Sequence, residues 1–313
     1  MTEQEALGLH EQAQQLQAGG EHEKAIAAFS LVAAYFEESE GPQSPDLANI
    51  LDDRAESLLE LCRYADAGVD AKRALDIVEA VAPFLDPETR SLLLPRALGV
   101  WGRVLRETGR YEEAAEPLWR AVNEAHDPVE IATSLNNYGV LCKYWGKFED
   151  GERSYTKALH IVEREFGVDS PQAATLFHNL GGLEHARGDY AKGEPLGRKA
   201  YEIRRKAFGE DDPRTIADAV AWGGLLDGLG RHDESVPIYR RALAYYEQRF
   251  GPEHFEVAAT LNNLGMARGA QGDVAEATAL LRRAVDIKRK LFGDDHPETR
   301  LTRGNLAKLL PGS

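Results

Sequence analysis

Asn137, Asn179 and Asn263 each stand two residues before a glycine (Gly139, Gly181, Gly265), and Asn305 holds the equivalent place near the end; Ala221 interrupts the series. A primary amide donates and accepts, so such a ladder can bond a peptide backbone without regard to its sequence. Each bond contributes roughly 0.5–1.5 kcal/mol net. Three or four fall short of the roughly 8 kcal/mol that micromolar binding requires, so charged or apolar anchors must supply the remainder. The same amides could instead bond within the fold and fix its stacking, and both readings stand. Arg96, Arg103 and Arg106 follow at steps of seven and three, hence on one helix face, and Lys143 occupies the place of Arg106 one unit on. Guanidinium holds a carboxylate by two bonds. The alternative is a solvated face, or one paired with Glu56 and Glu60. Glu11, Asp52, Asp53, Glu56 and Glu60 make the equivalent positions of the earlier units acidic, which favours a basic segment there.

Catalytic patterns are weak. His178 and His185 share a helical stretch, but seven residues separate them by roughly 10 Å along the axis, too far for one metal with bonds of about 2 Å. His178 reads instead as polar lining. Ser154 and Lys157 have the spacing of a serine–lysine pair, yet Lys157 recurs as Lys199, Arg241 and Arg283, which marks a repeat position. Leu180-Gly181-Gly182 lacks the strand-to-helix setting of a phosphate loop. No catalytic residue, metal site or cofactor is expected. Trp101, Trp119, Trp145 and Trp222 read as core, with Trp145 able to reach a rim.

Three glycine series set the elements that carry these residues. Gly139, Gly181, Gly223 and Gly265 recur at a step of 42, as do Gly146, Gly188, Gly230 and Gly272, and Gly167, Gly209, Gly251 and Gly293. A fixed period of this length predicts a solenoid whose units bury their apolar faces against their neighbours. In the best unit, Pro128 to about Tyr144 predicts a first helix and Phe148 to about Phe166 a second. Phe148, Gly151, Tyr155, Ala158, Leu159, Val162 and Phe166 fall on one face of the second helix, at three- and four-residue steps. Gly146 ends the first helix in the left-handed conformation and Gly167 ends the second in the same way. Ser44-Pro45, Asp86-Pro87, Asp127-Pro128, Ser170-Pro171, Asp212-Pro213 and His296-Pro297 read as caps followed by proline at the first helical position; Phe255 replaces the proline once. Gly139 and its equivalents are expected to face Ala158, Ala200, Ala242 and Ala284, where two helices approach closely.

These residues resemble the tetratricopeptide repeat, in the 42-residue form found in kinesin light chains. The resemblance implies an all-α, right-handed α-α superhelix, with about seven helix pairs and a capping helix. The units fall at about 1–43, 44–85, 86–126, 127–169, 170–211, 212–253 and 254–295, with the cap at 296–313, all in a single solenoid. The third departs from the spacing, because Gly109 lies five residues late, with extra sequence around Val81 to Pro95. The cap is expected to turn Leu301, Leu306 and Leu309 inward and Arg300, Arg303 and Lys308 to water. The resemblance also implies that first helices line a concave groove holding extended peptides. Asn137, Asn179, Asn263, Asn305, Arg103, Arg106, Lys143 and His178 would then form the peptide-binding face.

Composition narrows the partner. The net charge of −15 disfavours nucleic acid and anionic membrane. No apolar run approaches a membrane span and the acidic N-terminus is unlike a secretory signal, so the cytoplasm is the expected compartment. Cys62 and Cys142 both read as buried small hydrophobes within helices. Residues 1–62 hold thirteen acids against Lys24 and Arg54, whereas from Leu281 onward eight Lys or Arg stand against four acids. The expected function is a non-catalytic adaptor binding a protein or peptide segment. The alternatives are a homo-oligomer joined through oppositely charged ends, or the ligand-sensing part of a larger signalling system.

Overall fold

The structure of the protein is a computed structural model, which describes residues 1–309. The described residues form fifteen α-helices and one short 3-10 turn, with no strand. They divide into two compact units, Met1–Glu165 and Phe166–Ser313.

The first unit holds α1 (Glu3–Ala18), α2 (His22–Glu40), α3 (Pro45–Glu60), α4 (Tyr64–Val81), α5 (Pro87–Glu107), α6 (Tyr111–Glu124), α7 (Pro128–Trp145) and α8 (Phe148–Phe166). Each odd helix pairs with the even helix that follows, and α1, α3, α5 and α7 lie side by side as one layer. The core between the layers is built from branched aliphatic side chains and Phe29: Phe29, Leu47, Ile50, Leu51, Ile77 and Leu98 are all buried to within a percent or two. The extra sequence of the third unit is absorbed by the turn Ala82–Phe84 and by α5, which runs 21 residues and continues through a buried Pro95.

The second unit holds α9 (Pro171–Arg187), α10 (Tyr190–Phe208), α11 (Pro213–Gly228), α12 (His232–Phe250), α13 (Phe255–Ala270), α14 (Val274–Phe292) and α15 (Pro297–Ala307). Here α9, α11, α13 and α15 form the layer of first helices. The caps are seated as the sequence implies: Ser170, Asp212 and His296 accept backbone amides of the first turn, each followed by proline, and His254 does so ahead of Phe255.

Five local expectations are corrected. Cys62 is not a buried helical residue: it is exposed, with φ +57, in the turn after α3. Its place is the one that Gly20 and Gly146 take with φ +79 and +76, so Cys62 is the left-handed residue that closes the first helix of its unit. The glycines closing second helices are not left-handed like Gly146: Gly209, Gly251 and Gly293 have φ of 84–87 with ψ of 169–172, an extended mirror-image region open to glycine alone. The packing glycines meet a residue one turn ahead of the expected alanine. A methyl at Gly139 would sit 2.6 Å from the Tyr155 ring, one at Gly223 2.8 Å from Tyr239, and one at Gly265 2.8 Å from Leu281. In the cap, Leu301 is 57% exposed and the inward residues are Thr299 and Thr302, because the Leu301 side falls opposite the packed stripe. Leu306 and Leu309 are half-buried, and Arg300, Arg303 and Lys308 are exposed; the expected helix end near Leu310 lies outside the described residues. Trp119 is exposed as well, while Trp101, Trp145 and Trp222 are half-buried.

Candidate functional site

In the first unit the polar residues of the odd helices converge on Asp53 and Arg96. Asp53, buried on α3, accepts from His10 Nε2 at 2.7 Å and Gln14 Nε2 at 3.1 Å and pairs with Arg96 of α5. Burial pushes its carboxyl up, but the bonds from His10, Arg96 and Gln14 outweigh burial and hold it below the ordinary range. Gln17 adds bonds to the Asp53 carbonyl at 2.8 Å and to Ser57 at 3.0 Å. Asp52, one residue away, is fully buried, and its carboxyl is pushed well above the ordinary value by that burial. Of the acidic face, Asp52 and Asp53 are turned inward and Glu56 is half-buried, while Glu11 and Glu60 stay exposed.

Two adjoining cavities open on the same layer. One, of about 680 Å³, is lined by Asp46 and Asn49 of α3, Glu88, Leu92, Leu93 and Arg96 of α5, and Asp127 and Glu130 at the start of α7. The other, of about 490 Å³, continues along α5 past Gly99 and Arg103 to Glu56 of α3 and Asn137 of α7. They share Leu92, Arg96 and Glu130. Leu92 is 56% exposed and gives this trough an apolar shelf between acidic residues at one end and Arg103 with the Asn137 amide at the other. Arg103 Nη2 lies 2.5 Å from Glu60 Oε1, so this arginine is held at the edge by a carboxylate of α3.

Arg106 and Lys143 sit together, outside both cavities. Arg106 Cζ is 6.0 Å and Lys143 Nζ 5.0 Å from the ring centre of Tyr144. Burial, and secondarily the Arg106 charge, lower the affinity of Lys143 for its proton. Arg106 bonds Glu107 at 2.5 Å through one terminal nitrogen.

In the second unit, His178 Nδ1 lies 2.8 Å from the buried Asp218 carboxylate, which Arg204 also reaches at 3.2 Å. Asn179 is half-buried on α9. Asn263 accepts from Asn262 at 3.3 Å, and it is Asn262 that takes the 3.0 Å bond from Asn305 across α13 and α15. The amide ladder thus has a second rail, one residue earlier, which the glycine-based register passes over. Bonds between first helices recur at a separation of 43 residues: His10–Asp53, Asp53–Arg96, Glu60–Arg103 and Asn262–Asn305. That separation, one repeat plus one residue, was the available signal for them.

Ser154 Oγ donates to the Asp150 carbonyl of its own helix at 2.9 Å, which commits its proton to the backbone. With Lys157 it lines a separate cavity of about 310 Å³ beside Trp119 and Tyr138. Burial pushes the Cys142 thiol up to about 11, so it stays protonated as a core side chain. Among the described residues no three His, Cys, Asp or Glu side chains could hold a metal ion, and no helix is long and apolar enough to cross a membrane.

Stacked helix hairpins with glycines at the close approach from the third pair onward, and polar side chains bonded from one first helix to the next, define a helical repeat solenoid. The chain belongs to the tetratricopeptide repeat family: that family's repeat matches residues 130–206, 172–248, 217–290 and 256–310, together more than half of the 313 residues. Its glycine series recur at a step of 42 residues. No curated protein matches the sequence. Among solved structures, BtubC (BKLC) from P. vanneervenii is 22% identical, with a TM-score of 0.60 over 74% of this chain and 92% of that one. A putative kinesin light chain from Podosopora anserina, with nearly identical TPR-like repeats, is 19% identical, with a TM-score of 0.53 over 63% and 96%. The Rap conjugation gene regulator of the plasmid pLS20, in complex with a Phr peptide, is 16% identical, with a TM-score of 0.64 over 93% and 73%. These likenesses establish the fold.

Proposed function

We propose that this protein is a non-catalytic adaptor whose first-helix layer holds an extended segment of a partner protein. The observation that carries the reading is the trough on α3, α5 and α7, two cavities of about 680 and 490 Å³ joined through Leu92, Arg96 and Glu130. From Glu88 to Arg103 along α5 the trough spans roughly 22 Å at 1.5 Å per residue. That length takes about six or seven residues of extended chain. Acidic groups at one end favour a basic side chain, and Leu92 and Leu93 offer apolar contact in the middle. Covering a leucine contributes up to roughly 1.5–3 kcal/mol, which supplies the anchor that amide bonds alone do not. The peptide-bound Rap regulator shows that a protein of this fold can take a peptide. In the second unit His178, Asn179, Asn263 and Asn305 offer the equivalent polar layer, and we assign them the same kind of contact.

The test is selection of a displayed random peptide library on the full chain, followed by affinity measurement with Asn137→Ala and Leu92→Ser variants that circular dichroism shows to be folded. Recovered peptides should bind the wild type and weaken by roughly tenfold for each variant, the size of one lost hydrogen bond or apolar contact. Peptides indifferent to both variants would remove the trough as the site.

A further inference from the structure

We infer that the cavity of about 310 Å³ among α6, α7 and α8 is a small-ligand site, which takes a planar aromatic molecule bearing one negative charge. None of its lining residues lines the trough, so the inference goes beyond the adaptor reading and does not depend on it.

Its basis is a comparison of equivalent positions along the second helices. From α4 onward the tenth residue of each is basic: Arg73, Arg120, Lys157, Lys199, Arg241 and Arg283. Five of them are paired, Arg73 with Glu37, Arg120 with Glu79, Lys199 with Asp169, Arg241 with Glu210 and Arg283 with Glu247. Lys157 alone has no acidic partner among the described residues. The cause is the length of α6, which runs 14 residues against 19 in α2, α8, α10, α12 and α14. Glu37 and Glu247 are the sixteenth residues of α2 and α12, and α6 ends before it reaches that place. The loop ahead of α7 holds one acid, Asp127, and it is committed to the Val129 and Glu130 amides at 2.8 and 3.2 Å.

The ninth residue of the same helices departs in the same place. It is polar in the others, as Lys72, Thr156, Arg198, Arg240 and Arg282, but in α6 it is Trp119, 43% exposed. The Trp119 ring centre lies 5.1 Å from that of Tyr138, the two planes tilted by 58°, and Leu135 lines the cavity with them. Of the two cations in the lining, Arg153 is neutralised by Asp150, so Lys157 leaves one positive charge over. A cavity of this volume stands at the lower end of the roughly 300–1,000 Å³ typical of small-molecule sites, which combine apolar walls with a few polar groups. A flat ring laid on the indole removes apolar surface from water and meets a ring that prefers offset or tilted partners. The single ammonium is balanced by a single negative charge, whereas a doubly charged phosphate would leave one unpaired.

Isothermal titration of the full-length protein with three probes tests the site: 2-naphthoate has the ring and the charge, 2-naphthamide the ring alone, and hexanoate the charge on a flexible chain. Saturable binding of naphthoate is expected, with the amide weaker by about two- to fivefold, the size of one exposed ion pair, and hexanoate weaker than naphthoate. Lys157→Met should make naphthoate and its amide bind alike. Trp119→Thr, which installs the residue type of Thr156 in the next pair, should weaken both by about tenfold. Both side chains are exposed, so the melting temperatures of these variants should match the wild type. Absence of naphthoate binding, a preference for naphthoate over its amide that survives Lys157→Met, or hexanoate binding tighter than naphthoate would each overturn the site. Library-selected peptides that lose affinity in Trp119→Thr, with no naphthoate bound, would overturn it in favour of a protein contact on this face. Because the trough has other residues, peptides that depend on Asn137 and Leu92 leave the adaptor reading standing whichever way the naphthoate titration falls.

Discussion

Asp52 shows how a single residue departs from its apparent role. A carboxylate on a first helix reads as groove lining, yet Asp52 is 2% exposed, and one of its oxygens has no partner. Burial raises its carboxyl well above the ordinary 3.8, with the Arg96 charge opposing and Glu56, Asp53 and Asp70 adding to the rise. The folded state then holds the proton longer than the unfolded state as pH rises. Stability falls with increasing pH from about 3.8 up to the raised folded value, because the folded state binds more protons across that window. Below 3.8 both states are protonated and the loss vanishes. Asp52→Asn should therefore stabilise the protein at pH 7 by about 1–3 kcal/mol, the cost of an unsatisfied buried acid, and the gain should shrink toward pH 4. Urea unfolding of both proteins at the two pH values measures it, and a gain that is the same at both would refute the charge as its source.

At the scale of the element, the fold rests on how closely paired helices approach. Gly139 admits the Tyr155 ring, and a methyl there would meet Cε1 at 2.6 Å, with the ring fully buried and unable to retreat. Gly139→Ala should destabilise by up to about 2 kcal/mol, since an overpacking cost at the upper end of roughly 1–3 kcal/mol, with the ring unable to retreat, exceeds the helix-propensity gain of about 1 kcal/mol. Gly8, in the middle of α1, has nothing within 4 Å of an added methyl. Gly8→Ala should thus stabilise by up to about 1 kcal/mol. Opposite signs in chemical denaturation are the expected result, and like signs would mean that the Tyr155 contact yields. The glycine series was legible because few residues tolerate the turn geometry or the close approach. Its partner was not: spacing along one helix does not state the axial offset of the next, and the contact falls at Tyr155 instead of Ala158. Cys62 was hidden for a related reason. Cys62 is in step, 42 residues after Gly20 and 84 before Gly146, but a cysteine does not mark a left-handed position as a glycine does.

For the whole molecule, sequence reports formal charge, whereas the field a partner meets depends on which charges are already paired. Arg103 reads from spacing either as a groove cation or as a partner of Glu56 and Glu60; in the fold it meets Glu60, 43 residues earlier. The same holds at the C-terminal end, whose excess of Lys and Arg suggests docking on the acidic N-terminal helices of another copy. Five of its eight cations are paired within the chain: Arg283 with Glu247, Lys288 with Glu298, Arg289 with Asp286, Lys290 with Glu253 and Arg303 with Asp294. In the first unit Asp53 and Asp70 are likewise taken by Arg96 and Arg54. Pairs of this kind add little stability at the surface, but they remove the uncompensated charge that head-to-tail association would need. With a net charge of −15, copies repel over the Debye length, about 30 Å at 0.01 M salt against 8 Å at 0.15 M. Sedimentation at 10 mM and 150 mM salt should therefore find a monomer at both. An assembly that forms at low salt and dissolves at high salt would show that the remaining end charges outweigh the repulsion, and would favour the self-associating protein over the adaptor.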